Sequence, residues 1–205
     1  GGLGLPDRDY YFNNSKKDIT DEYIKFIQKY LDYFNLKWDA NKIYNIEKLL
    51  AEYTYTNIMK RDTDLQNNSY TMNKIKNSIP ILYEDLIYFF KKINKNDISD
   101  DTIININNPN FTINFYKLLY TCDLVSLKQY YVYLFLRKLG NDIDNTTYNL
   151  LFNFYGKKLS GTKETRKPWK RSINTINKYI GMLVGKMFVN EYFDEKSKDK
   201  AISLI

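Results

Sequence analysis

The 205-residue sequence contains no histidine. Histidine is the commonest zinc ligand and the usual general base near neutral pH. Its absence removes most hydrolytic metal sites and Ser-His or Cys-His arrangements from this chain taken alone. Cysteine is scarce too. Cys122 stands alone, so no intrachain disulfide can form, and the lack of disulfides favours an intracellular, reducing setting. No apolar run approaches the roughly 20 residues of a membrane-spanning helix, and no signal peptide opens the sequence. The first residue is Gly1 rather than Met, as expected of a fragment or a processed product. A phosphate-cradling loop is also missing: Gly1-Gly2-Leu3-Gly4 neither follows a strand pattern nor precedes a Lys-Ser/Thr pair. The acidic pairs Asp7/Asp9, Asp62/Asp64 and Asp100/Asp101 lack the glycine and spaced oxygen ligands of a calcium loop.

What is present is an ordinary globular balance, 43% hydrophobic and 27% charged, enough for one well-cored domain. The 17% aromatic share is high and mostly tyrosine, whose ring seeks burial while its hydroxyl needs a partner. Lys, Asn, Ile and Tyr are overused together, as AT-rich codons dictate. The same bias generates Asn-x-Ser/Thr sequons at Asn13, Asn67, Asn110 and Asn145, which therefore carry little weight. The net charge is +7, with a basic cluster at Lys157, Lys158, Lys163, Arg166, Lys167, Lys170 and Arg171. No recognition motif accompanies it, so it reads as a solvated face or a contact to an acidic partner surface rather than a nucleic-acid site.

Helical periodicity dominates. Tyr23, Phe26, Ile27, Tyr30, Leu31 and Phe34 form one stripe over Thr20–Phe34, with Thr20 as candidate cap. Further helices are expected over Asn41–Met59, Pro80–Ile93 and Asn110–Tyr120 (the last opened by Pro109), from Ser126 to a stop at Gly140, and over Asp142–Tyr155. The longest runs from Pro168 to Phe193, with Ile173, Ile176, Ile180, Val184, Met187 and Phe188 facing inward. Gly181 and Gly185 lie one turn apart on it, a spacing that predicts close packing of another backbone. A last helix starts near Ser197. Thr102–Ile106 alternates and reads as a loop or a marginal strand. No repeat or linker interrupts the chain, so the expectation is one all-α, multi-helix domain over residues 1–205.

Two segments are too particular for generic helix. One is Gly2-Leu3-Gly4-Leu5-Pro6-Asp7-Arg8-Asp9-Tyr10-Tyr11-Phe12. The other is Leu151-Phe152-Asn153-Phe154-Tyr155-Gly156-Lys157-Lys158-Leu159-Ser160-Gly161, continuing through Pro168-Trp169-Lys170-Arg171, Ile180-Gly181, Val184-Gly185 and Val189 to Phe193. Together they resemble the neprilysin and endothelin-converting enzyme family of zinc metallopeptidases. Arg61-Asp62, Asn68 and Thr71 fall where that family tends to place an Arg-Asp pair and an Asn-x-x-Thr segment.

The resemblance implies that this chain is the helical, non-catalytic part of a zinc metalloendopeptidase. That part would enclose the substrate chamber of a catalytic domain absent from these residues. Zinc would belong to the full-length enzyme, on a His-Glu-x-x-His helix and a distant glutamate. This chain would bind no metal, and on its own is expected to be inactive. Peptides would be the substrates. Arg8, Asp9, Arg61, Asp62, Trp169, Lys170 and Arg171 are the chamber or structural candidates. For Arg8 and Arg61, pairing with Asp9 or Asp62 to pin a turn stands beside direct contact with substrate. Ser172 falls where many secreted relatives have a cysteine, and Pro168 joins Trp169 directly where an arginine often intervenes. Both departures look more like the cysteine-poor bacterial-type members. The competing reading is a catalytically inactive, free-standing helical interaction module.

Overall fold

Most of these periodicities become helices in a computed structural model, which describes residues 3–94 and 98–204. The chain divides into two compact units, the first running to Phe154 and the second starting at Tyr155. The first carries α1 (Asp9–Phe12), α2 (Lys17–Tyr33), α3 (Ala40–Tyr53), α4 (Thr63–Gln66), β1 (Ser69–Thr71), α5 (Met72–Ser78), α6 (Pro80–Lys92), β2 (Ile103–Asn105), α7 (Pro109–Thr121), α8 (Leu124–Ile143) and α9 (Asn145–Leu151). The second carries α10 (Pro168–Tyr192) and α11 (Glu195–Ile202). The division falls in a π-helical stretch, Phe152–Leu159, where the sequence shows no linker.

In the first unit, α3 packs against α2, α7 and α8, and α9 against α2 and α8. The core is the stripe of α2 (Tyr23, Ile27, Tyr30 and Leu31) laid against Ile43 of α3 and Tyr133 of α8, all fully buried. Phe154 closes this core, stacked on Phe26 at 5.1 Å between ring centroids. A smaller cluster of Met72, Ile75 and Ile106 lies under Leu82 and Leu86 of α6. The Thr102–Ile106 stretch forms an actual strand: β2 pairs antiparallel with β1, Tyr70 opposite Ile104. A three-residue β1 leaves no alternation to read, which is why only one partner of the ladder was visible in sequence.

Several boundaries differ from expectation for identifiable reasons. Thr20 is no cap. Helix α2 starts at Lys17, and the Thr20 hydroxyl donates to the Tyr10 carbonyl at 2.7 Å, tying α1 to α2. Helix α3 stops at Tyr53, because Thr54 turns extended and its hydroxyl donates back to Leu50 O at 2.9 Å. Gly140 does not end α8 but lies buried within it. A Cβ there would strike the Tyr30 hydroxyl and come within 2.7 Å of Leu151 Cδ1. The stop is Asp144, in extended conformation, which caps α9 reciprocally with Thr147. Gly156 lies inside the π stretch, and Gly161, at φ +67°, takes the left-handed position just after it. The tail helix begins at Glu195, two residues earlier than expected, because Asp194 accepts from Ser197 N at 2.7 Å; Ile205 lies outside the described residues.

Candidate functional site

The first motif is anchored by a residue that the periodicity reading passed over. Glu47 sits on the apolar stripe of α3, four residues after Ile43 and three before Leu50, and is 0% exposed. Its Oε2 accepts from Tyr23 Oη at 2.8 Å, Tyr11 Oη at 2.9 Å and the Gly4 amide at 3.3 Å. Oε1 faces Arg137 Nη1 of α8 at 3.4 Å. The same Nη1 donates to Tyr23 Oη at 3.1 Å, and the hydroxyls of Tyr23 and Tyr133 meet at 3.2 Å. The Leu5 amide donates to Tyr11 Oη at 3.1 Å. One buried carboxylate thus ties residues 4–11 to α2, α3 and α8.

The energetics explain the crowding. A buried carboxylate is costly unless its lone pairs are satisfied, and here two tyrosine hydroxyls, a backbone amide and Arg137 are turned onto it. Desolvation still dominates. It pushes the Glu47 carboxyl above its usual range, against the opposing pull of Arg137, then Tyr23, Tyr11 and the Gly4 amide. Burial, then the Glu47 charge, raises the Tyr11 phenol far above its usual value, so it remains a donor. The motif's Gly4 is required by space: a Cβ there would fall on the Tyr23 hydroxyl and Arg137 Nη1.

The expected site residues of this unit make local contacts. Asp9 opens the single turn α1 and does not pair with Arg8, whose guanidinium lies over the Phe12 ring at 4.9 Å. Asp7 pins the turn instead, accepting from the Asp9 amide and from Asn57 Nδ2, each at 2.9 Å. Arg61 ends a 3-10 turn and does not pair with Asp62, which caps α4 through the amides of Asp64 and Leu65. Asn68 and Thr71 support the small sheet: Asn68 O accepts from Ile106 N, and Thr71 caps α5. Between the first motif and the loop after α3 lies a cavity of about 640 Å³, lined by Leu3, Leu5, Leu50, Phe111, Lys60 and Gln66 among others. The Gln66 amide is turned onto Lys60 O.

In the second unit, Trp169 is exposed with the Lys170 ammonium 5.3 Å from its ring centroid, and Arg171 is partly buried one residue on. Ser172 donates to Pro168 O within the helix. No residue of α10 is buried, so the inward face expected for Ile173, Ile176, Ile180, Val184, Met187 and Phe188 is not formed here. Among the described residues outside the helix's own backbone, nothing lies within 4 Å of a Cβ added at Gly181 or Gly185. The helix is kinked at Ile180 (φ −131°, ψ 26°), just before the first of these glycines.

Among the described residues no group of three or more His, Cys, Asp or Glu could hold a metal, and no helix is long and apolar enough to cross a membrane. With no histidine either, the residues present do not fit a zinc site. Fold and side chains together define a helical region built around buried polar contacts. The chain belongs to peptidase family M13, whose N-terminal profile matches residues 1–205. It is 25% identical to human endothelin-converting enzyme 1 over the whole chain and 24% identical to rabbit neprilysin over 99% of it. It covers only 27% and 30% of those two relatives. The fold matches that of the Mycobacterium tuberculosis zinc metalloprotease Zmp1 in its open state, with a TM-score of 0.78 at 21% identity, over 100% of this chain and 32% of that one. The inhibitor complex of the same protease gives 0.74. The resemblance carried by the two motifs and the all-α class are therefore borne out.

Proposed function

We propose that this chain is the helical, non-catalytic part of a zinc metalloendopeptidase, forming a wall of the chamber in which peptides are cleaved. The observation that carries this reading is a family match over every residue of a chain that has no histidine and under a third of its relatives' length. In such an enzyme the hydrolytic water is activated by zinc and assisted by a glutamate on another part of the polypeptide. The residues here bind no metal. They frame the chamber, limit the size of peptide admitted and keep folded proteins out. The Glu47 cluster serves this role by holding the first motif rigidly against α2, α3 and α8.

The test has two arms. The 205-residue chain, washed with chelator and supplied with zinc, is expected to retain none and to leave peptides intact; stoichiometric zinc or cleavage overturns the reading. The longest polypeptide encoded by its reading frame is expected to hold one zinc and to cleave peptides but not folded proteins. Lack of zinc there would favour the free-standing interaction module.

A further inference from the structure

Every residue lining the cavity between the first motif and the loop after α3 belongs to the first unit. At about 640 Å³ it falls within the ~300–1,000 Å³ of sites that take small molecules. Leu3, Leu5, Pro6, Leu50 and Phe111 give it apolar walls, against which an apolar body is favoured over water. Those walls are held by hydrogen bonds. The Leu5 amide donates to Tyr11 Oη at 3.1 Å, itself fixed on Glu47. The Phe111 amide donates to Asn108 Oδ1 at 2.9 Å, and Asn108 Nδ2 donates to Tyr53 O at 3.1 Å, tying the start of α7 to the end of α3. Such a frame is formed before anything binds, which lowers the ordering cost of binding.

The polar groups left uncommitted define the ligand. Lys60 is the one charged residue of the lining among the described residues, and it forms no ion pair with any of them. Asn107 accepts from Asn105 through Oδ1, while its Nδ2 makes no hydrogen bond to the described residues. One cation and one amide donor beside apolar walls match a single carboxylate on an apolar body. A phosphate, with more charge and more acceptors, calls for more than one cation. We propose that this cavity binds a small apolar molecule bearing one carboxylate, its body against Leu5, Leu50 and Phe111 and its charge on Lys60. Acyl chains and the C-terminal residues of peptides both carry this chemistry. Nothing in this binding requires zinc or cleavage.

An NMR titration of the backbone amides of the 205-residue chain tests it, with octanoate, octanol, acetyl-leucine and acetyl-leucine amide as probes. Octanoate or acetyl-leucine should shift the amides of Leu5, Lys60, Asn107 and Phe111 saturably. Octanol and acetyl-leucine amide should bind about 10-fold more weakly. Tighter octanoate identifies an acyl chain as the source, and tighter acetyl-leucine a peptide end. Lys60 is exposed, so its substitution spares the fold. Lys60→Gln should erase the preference for the acids, and Lys60→Glu should transfer it to octylamine. No saturable binding, shifts confined to other residues, acids and neutral counterparts that bind alike, or a preference that survives Lys60→Gln overturns the inference. The longest polypeptide encoded by the reading frame should give the same shifts. Loss of binding there would show that further polypeptide fills the cavity, and overturns it too, whether or not that polypeptide holds zinc.

Discussion

Replacing Glu47 by Ala is the most informative perturbation of the first unit. It removes the acceptor for Tyr11, Tyr23 and the Gly4 amide, and leaves Arg137, whose side chain is only 18% exposed, facing an empty site. Breaking one partner of a buried ion pair costs about 3–5 kcal/mol, a large part of the ~5–15 kcal/mol by which a domain is stable. At about 2–4 °C per kcal/mol for a chain of this size, the melting midpoint should fall by roughly 6–20 °C. Glu47→Gln keeps the shape and tests the charge. The Glu47 carboxyl is raised in the folded state above its ordinary value of 4.5, with burial the main cause. Between the ordinary and the raised value the folded state therefore binds more protons than the unfolded one. Stability from this group is present below the ordinary value and declines as pH rises through the folded one. Urea unfolding of the wild type should show that decline, and Glu47→Gln should lack it. Identical pH slopes for the two proteins, or a Glu47→Ala midpoint within 2 °C of wild type, would refute the account of this cluster.

Two further perturbations follow from the same packing. Gly140→Ala should cost about 1–3 kcal/mol by overpacking, read by chemical denaturation, because its Cβ meets the Tyr30 hydroxyl and Leu151; a neutral result would mean that α8 shifts freely against α2. Asp144→Ala removes the cap of α9 and the Tyr33 contact at 2.7 Å. Hydrogen bonds, the Thr147 amide first, hold the Asp144 carboxyl below its usual 3.8, so its contribution is present above that value and lost as pH falls; the variant should show a smaller loss of stability on acidification.

The helical stripes of α2 and α3 were legible because burial repeats at three and four residues, and prolines mark three helix starts at N1, Pro80, Pro109 and Pro168. Gly140 was misread as a stop because a glycine needed for space and a glycine needed for φ look alike in sequence. Only the presence of Tyr30 and Leu151, distant in one case by 110 positions along the chain, separates the two. Glu47 and Arg137 went unnoticed as a pair for a related reason, lying 90 residues apart. Yet each carried a local signal: a charged residue on an otherwise apolar stripe, Ile43-Glu47-Leu50 on α3 and Tyr130-Tyr133-Arg137 on α8. An arginine beside an aspartate in sequence, as at Arg8 and Arg61, is no guide to which carboxylate, if any, it meets in space. In the fold Arg8 meets a ring and Asp62 meets amides.

The two motifs differ in where their glycines are explained. Gly4 is accounted for within the chain, since its missing Cβ makes room for Tyr23 and Arg137. Gly185 is not: it lies in regular helix with open space where a side chain would go, and glycine there costs about 1 kcal/mol against alanine. In the 205-residue chain alone, Gly185→Ala should therefore slow exchange of the neighbouring amides and stabilise the helix by about 0.5–1 kcal/mol. In a polypeptide that presses a backbone against this position, the same substitution should destabilise by the overpacking term, about 1–3 kcal/mol. Opposite signs in the two contexts would place the reason for the glycine outside these residues. Stabilisation in both would show that Gly185 answers to no packing constraint.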